Sequence, residues 1–258
     1  MIKHIDFHIE ALEAMKQYPS NLYYIGNTKH LYIRKVSIVG GRKPNQYARH
    51  FTHTLVSKLS YAGLCIVSGG AIGVDAIAHK AAGANNTIMV AATGLDKRYP
   101  AINKNIIQSI EQEGLVLSQF SQNTPSYKYN FVLRNELIVA LGEVLIVTYA
   151  QKNSGTLRSV EYAQKMGKKI YVLPHRLGES EGTNALLEQG KAEAIYDIES
   201  FVQKLVPSLS IQEEKNPFLC FCATNPTYEE AVKKYPSEVF EAELRGEILI
   251  QAGRVSLV

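Results

Sequence analysis

The sequence contains no tryptophan and only three cysteines among 258 residues. Cys65, Cys220 and Cys222 are too few for a disulfide framework or a four-ligand zinc site. A reduced, cytoplasmic protein with no metal and no cofactor is expected. A membrane span needs about 18 consecutive apolar residues, and the longest candidate here, Leu137 to Ala150, is interrupted by Glu143. Asp6 and Glu10 stand where a signal peptide would carry its basic and apolar regions, which argues against secretion. Two nucleotide fingerprints are also missing. Without G-x-x-x-x-G-K-[ST] a P-loop ATPase is not expected, and without G-x-G-x-x-G neither is an NAD enzyme. The second strand ends in Ser68, so no carboxylate stands there to hold a ribose.

What remains is an ordinary globular composition, 46% hydrophobic and 20% charged, with an uneven distribution of charge. Residues 1–206 carry 23 Lys+Arg against 16 Asp+Glu, and residues 207–258 carry 5 against 8. Within the first part, residues 35–135 hold 11 basic and 4 acidic residues, which is the whole positive surplus of that part. A local basic excess suits a polyanion, although a mildly basic solvated surface has the same charge count.

Short apolar runs alternate with helical stripes. Val36–Gly40, Leu64–Ser68, Thr87–Ala91, Leu115–Ser118, Val144–Thr148, Lys169–Leu173 and Ala194–Tyr196 read as strands. Helices are expected over Phe7 to Tyr18, Asn45 to Ala62, Gly73 to Ala82, Asn103 to Glu113, Arg134 to Leu141, Thr156 to Met166 and Ile198 to Leu205. Continuous apolar strands separated by helices imply a mostly parallel sheet covered on both faces, hence an α/β, doubly wound, Rossmann-like domain. The expected organisation is a short N-terminal helical and extended segment (1–33), the Rossmann-like domain (34–206), a linker (207–216) and a small winged-helix-like domain (217–258). In the last of these, Thr227 with Glu230 forms a capping-box pattern, Pro236 breaks the chain, and Ser237 can cap a helix to Leu244. A hairpin around Gln251-Ala252-Gly253 follows. The helix after Ser237 sets Glu238, Glu241 and Glu243 against one Arg245, so it is expected to contact protein rather than duplex DNA.

Ligands of open parallel sheets bind beyond the carboxyl ends of the strands, and the unusual loops fall there. They are Gly40-Gly41-Arg42-Lys43-Pro44, Ser68-Gly69-Gly70-Ala71-Ile72-Gly73, Asn153-Ser154-Gly155-Thr156 and Pro174-His175-Arg176. Glycine lets the backbone approach an anion, and helix-starting N–H groups point at it. Ser68, Ser154 and Thr156 add hydroxyl donors, while Arg42 and Lys43 add fixed charge. The segment Tyr127-Lys128-Tyr129-Asn130-Phe131, followed by Arg134 and Asn135, interleaves aromatic and basic residues. That is how single strands are held, base on ring and phosphate on cation. The plain alternative is that Phe131 docks the following helix into the core. Catalytic groups are sparse. Asp75 and His79 lie four apart, but no nucleophile or second carboxylate joins them, and no catalytic residue is expected.

These motifs, in this order, resemble the DprA (Smf) family of DNA-processing proteins. The resemblance rests on Tyr18-Pro19, Ile38-Val39-Gly40-Gly41-Arg42-Lys43-Pro44, Ser68 to His79, Gly94 to Pro100, Phe131-Val132-Leu133-Arg134-Asn135, Ser154-Gly155-Thr156 and Glu181-Gly182-Thr183-Asn184. It covers about residues 18–200 and, more weakly, the tail. It implies a protein that binds single-stranded DNA without catalysing a reaction, protects incoming DNA during natural transformation, helps load the recombinase RecA for homologous recombination, and forms homodimers. It also implies that Arg42, Lys128 and Phe131 contact DNA. One departure is Arg134-Asn135-Glu136 where the family commonly has Arg-Asn-Arg, a loss of positive charge at 136. The rival reading is a nucleotide-binding Rossmann hydrolase of nucleoside monophosphates, suggested by Gly155-Thr156 with Glu161. A third is a protein scaffold whose glycine loops stay empty.

Overall fold

The structure is a computed structural model that describes residues 1–207, 217–222, 224–244, 246–251 and 253–257. It divides into two compact units, Met1–Leu205 and Val206–Val258.

The first unit is built on a nine-stranded sheet. Its strands are β1 (Lys3–His4), β2 (Tyr23–Gly26), β3 (Lys35–Gly40), β4 (Cys65–Ser68), β5 (Thr87–Val90), β6 (Leu115–Ser118), β7 (Leu145–Tyr149), β8 (Ile170–Val172) and β9 (Glu193–Ala194). Their order is β1-β2-β6-β5-β4-β3-β7-β8-β9. From β6 to β9 every pairing is parallel, and β2 and β1 add an antiparallel edge. The helices are α1 (Gln46–Tyr61), α2 (Val74–Ala82), α3 (Lys104–Glu113), α4 (Lys128–Leu141), α5 (Thr156–Lys165), α6 (Glu181–Glu188) and α7 (Ile198–Leu205). Alternation along the strands separates the two faces, because successive side chains point to opposite sides. Leu115 and Leu117 pack with Leu137 and Ile138 of α4 and Val160 of α5, whereas Val116 packs with Ile107 and Ile110 of α3. Ile38, Ile66, Ile88 and Val147 are fully buried, each contributing about 1.5–3 kcal/mol of apolar burial.

Some expectations are corrected here. The segment Phe7 to Tyr18 is not an α-helix; it forms only a 3-10 turn at Glu10–Ala14 with no side-chain cap. A short isolated helix is marginal, and tertiary docking decides instead. Leu12 and Met15 enter the main core, Ile9 N–H donates to the Tyr18 hydroxyl, and Lys16 N–H donates to Glu136. Strands β1 and β2 of this segment join the main sheet as its edge. Helix α4 starts at Lys128, six residues before the expected Arg134. Buried Asn130 explains the early start. Its Nδ2 donates to the Ala92 and Pro125 carbonyls, which pins the first turn to the sheet. Helix α6 escaped the sequence reading altogether.

The second unit comprises α8 (Pro217–Cys222), α9 (Tyr228–Lys234), α10 (Pro236–Leu244) and a hairpin of β10 (Ile248–Gln251) with β11 (Arg254–Leu257). Phe218, Cys222, Ala231, Val239, Ala242, Ile248 and Val255 form its core. Thr227 and Glu230 make the capping box in both directions. The break falls as expected, between α9 and α10, but Pro236 rather than Ser237 opens α10, where a missing N–H costs nothing. Of the expected linker only Pro207 is described; residues 208–216, and Arg245 of the tail helix, lie outside the described residues.

Candidate functional site

The sheet reverses direction at β3, which has β4 on one side and β7 on the other. That switch point is where an open α/β sheet leaves a crevice. Here the crevice is lined by Gly40, Gly41 and Arg42 after β3, Phe131, Arg134 and Asn135 from α4, and Ser154, Gly155, Thr156 and Ser159 at the head of α5. A second hollow adjoins it, lined by Gly70, Ile72, Ala91, Ala92, Tyr99 and Pro100. Arg42, Ala71, Phe131 and Arg134 belong to both, and Arg42 and Phe131 form a ridge between the two over the buried Arg134.

The glycines are there because the loops interlock. A Cβ on Gly40 would meet the Val74 side chain at 2.5 Å, and one on Gly73, whose φ is +87°, would meet the Gly41 and Arg42 backbone. The Val74 N–H donates to the Gly41 carbonyl, closing the first loop onto the second. Gly69 lies against the guanidinium of Arg134 and the carboxylate of Asp75, with no room for a Cβ.

Beneath the ridge is a buried charged group that the sequence did not announce. Arg134 is 4% exposed and Asp75 6%. The Arg134 Nη1 donates to the Val90 carbonyl at 2.7 Å, and Asp75 accepts from the Ala71 N–H. Burial pushes the Asp75 carboxyl above the usual carboxylate range, and the facing Arg134 holds it back. Burial also lowers Arg134, but a guanidinium keeps its proton, so the cation beneath the ridge is permanent. Arg134 Nε, Ser154 Oγ and Ser159 Oγ are buried atoms without a hydrogen-bond partner, and all three residues line the crevice. Buried polar groups are almost always paired, so three unpaired atoms around one crevice single it out from the rest of the sheet edge. Among the described residues no cluster of His, Cys, Asp and Glu could hold a metal ion.

Phe131 is a keystone rather than a free ring. The Arg42 guanidinium carbon lies 5.6 Å from its centroid and that of Arg134 5.9 Å. The Tyr99 ring is 6.0 Å away.

Not every expected site residue gathers here. Lys43 and Lys128 are exposed and outside the crevice lining. Ser68 was expected to offer a hydroxyl donor, but it is fully buried and donates to the Ile38 carbonyl at 2.7 Å, stitching β4 to β3. His175 belongs to a different hollow with Tyr47 and Arg176, and its Nε2 donates to the Thr148 carbonyl. Asp75 lies in the first turn of α2 and faces Arg134. His79 is buried, between the Thr87 hydroxyl and the Gly69 carbonyl. Ser159 and Tyr99 were missed as site residues. Ser159 follows Thr156 by three in a helix, a spacing with no distinctive signal. Glu136, where the charge departs from the resembled pattern, accepts the Lys16 N–H at 2.8 Å and ties the N-terminal segment to α4.

The family described as DNA recombination-mediator protein A matches residues 2–206. The chain is similar to protein Smf of Synechocystis sp., 33% identical over 207 residues, which are 76% of this chain and 52% of that protein. It therefore spans about half the length of that curated relative. A solved structure of DNA processing protein A from Helicobacter pylori, described for its unique single-stranded DNA binding mode, is 41% identical with a TM-score of 0.79. The match covers 81% of this chain and 97% of that one. The X-ray structure of DprA from Streptococcus pneumoniae is 32% identical with a TM-score of 0.72, covering 77% and 72%.

Proposed function

This chain belongs to the DNA recombination-mediator protein A family, and from that premise we propose that it binds single-stranded DNA along the carboxyl edge of its sheet. In this reading it protects incoming DNA during natural transformation and helps load a RecA recombinase, as a cytoplasmic homodimer and without catalysing a reaction. The observation that supports the reading best is the ridge. Exposed Arg42 stands over Phe131, with buried Arg134 beneath and glycine turns on either side.

The arrangement divides labour by chemistry. Backbone N–H groups at the head of α5 and the hydroxyls of Ser154 and Thr156 suit phosphate oxygens. Arg42 can take a phosphate bidentately, and Lys128 and Lys43 extend the charged track. Phe131 offers an edge to a base and holds Arg42 in place. The hydrolase reading receives less support. Its candidate carboxylate, Glu161, pairs with exposed Arg158 at 2.9 Å and does not line the crevice.

The test is fluorescence anisotropy of a labelled oligothymidylate across a salt series, with duplex of equal length as competitor. Single-strand preference is expected. Arg42→Ala should weaken binding and flatten the log–log salt slope by about 0.7, the value for one phosphate contact on a single strand. No binding at low salt would overturn the reading and turn attention to release of base from nucleotides.

A further inference from the structure

The ring expected to stack on bases is the one least free to do so. Phe131 is half-buried, with Arg42 and Arg134 over its ring and Tyr99 beside it. The free aromatic surface lies one turn earlier. Tyr127 is 51% exposed and Tyr129 61%. Their rings stack with centroids 5.7 Å apart and planes 8° from parallel. Neither hydroxyl has a hydrogen-bond partner among the described residues. Exposed Lys128 stands between them in the chain.

We propose that Tyr127 and Tyr129 form a second base-stacking platform, which carries single-stranded DNA from the ridge past Lys128 and off the head of α4. The proposal rests on the single-strand reading above. Three observations carry it.

The platform is held in place. Tyr127 caps α4 with extended backbone, its carbonyl accepts the Asn130 N–H, and Asn130 is itself buried and bonded to Ala92 and Pro125. Two rings stacked on each other at a pinned turn lose less freedom when a base arrives than two separate side chains would, which favours a stacking surface. The platform also adjoins the ridge along the chain, since Tyr127 is the N-cap of α4 and Phe131 stands in the first turn of that helix. Finally, its electrostatics suit a polyanion. Residues 114–135 contain no Asp or Glu, while Lys128 and Arg134 supply positive charge. Every base has a π-face, so such a surface tolerates any sequence.

The experiment uses the full chain and oligothymidylates of graded length, from about 4 to 16 nucleotides, the range of single-strand site sizes. Tyr127→Ala/Tyr129→Ala should bind the longer oligonucleotides at least about five-fold more weakly, the lower bound for one lost base stack. It should bind the shortest as wild type does and keep the wild-type salt slope, because no phosphate contact is lost. Tyr127→Phe/Tyr129→Phe should bind normally, since the rings and not the hydroxyls act. Because the chain has no tryptophan, Tyr129→Trp places a single indole in the platform, and its fluorescence should be quenched by saturating oligonucleotide. Wild-type affinity of the double alanine variant at every length, or an unquenched indole, overturns the platform while leaving the single-strand reading intact. Failure of the wild-type chain to bind any single strand overturns both.

Discussion

His79 allows a stability argument with a definite sign. It is fully buried in α2, with Nε2 2.8 Å from the Gly69 carbonyl and Nδ1 2.8 Å from the Thr87 hydroxyl. A carbonyl can only accept, so Nε2 carries a proton. The Thr87 hydroxyl also lies 2.7 Å from the Ile66 carbonyl, and its single proton can serve only one of the two acceptors. With neutral His79 the hydroxyl donates to Nδ1; with a charged ring it would turn to Ile66. Both states can therefore be hydrogen-bonded, and desolvation decides between them. Burial pushes the imidazole down from 6.5 to about 4. The unfolded chain takes up the proton near pH 6.5 and the folded chain does not until about pH 4, so acidification favours unfolding. The contribution is intact above pH 6.5 and falls through this window, with about 3 kcal/mol lost by pH about 4. Asp75, whose carboxyl is raised, acts in the opposite direction. The useful quantity is therefore the difference between wild type and His79→Gln, in which Asp75 cancels. Urea unfolding of both proteins, followed by circular dichroism from about pH 7 to about pH 4, should show wild type losing about 3 kcal/mol more than the variant. A difference that stays flat, or grows in favour of wild type on acidification, would mean that the two hydrogen bonds outweigh desolvation and that the reasoning is wrong.

Two further outcomes test the scaffold. Gly69→Ala places a Cβ on Arg134 and Asp75, which should cost about 1–3 kcal/mol of stability in urea unfolding. It should also weaken oligonucleotide binding by displacing the cation beneath the ridge, and wild-type behaviour in both assays would show that the pair has slack. Thr227→Ala removes one half of the capping box of α9, so hydrogen exchange of the α9 amides should speed up by an amount corresponding to about 1 kcal/mol.

The order of strands and helices was legible because this sheet is buried on both faces. Runs such as VSIVG and VLIVT have no polar alternation to confuse with a solvated strand. The glycine loops were legible for the same topological reason, since they follow those strands. What resisted was local periodicity overridden by tertiary contact. Phe7 to Tyr18 has apolar residues enough for a helix, yet Leu12 and Met15 reach the core from a 3-10 turn. The start of α4 was hidden because Asn130, a poor helix former in isolation, is paid back by two buried carbonyls that sequence cannot show. Asp75 and Arg134 are 59 positions apart, and only the fold brings them to one glycine.

That pairing changes how the ridge meets an anion. Of its two arginines only Arg42 is exposed; Arg134 is 4% exposed. Mobile salt screens a surface cation strongly and a buried one weakly. A phosphate at the ridge would feel Arg42 through a salt-dependent attraction and Arg134 through a field that salt barely weakens, reduced by the facing carboxyl of Asp75. Protonating Asp75 removes that reduction. Because burial raises the Asp75 carboxyl, acidification through its range strengthens the net positive field under the ridge. Single-strand affinity should therefore rise modestly as pH falls through the range of that carboxyl, measured by oligonucleotide anisotropy only where urea unfolding shows the chain still folded, because His79 loses stability from pH 6.5 downward.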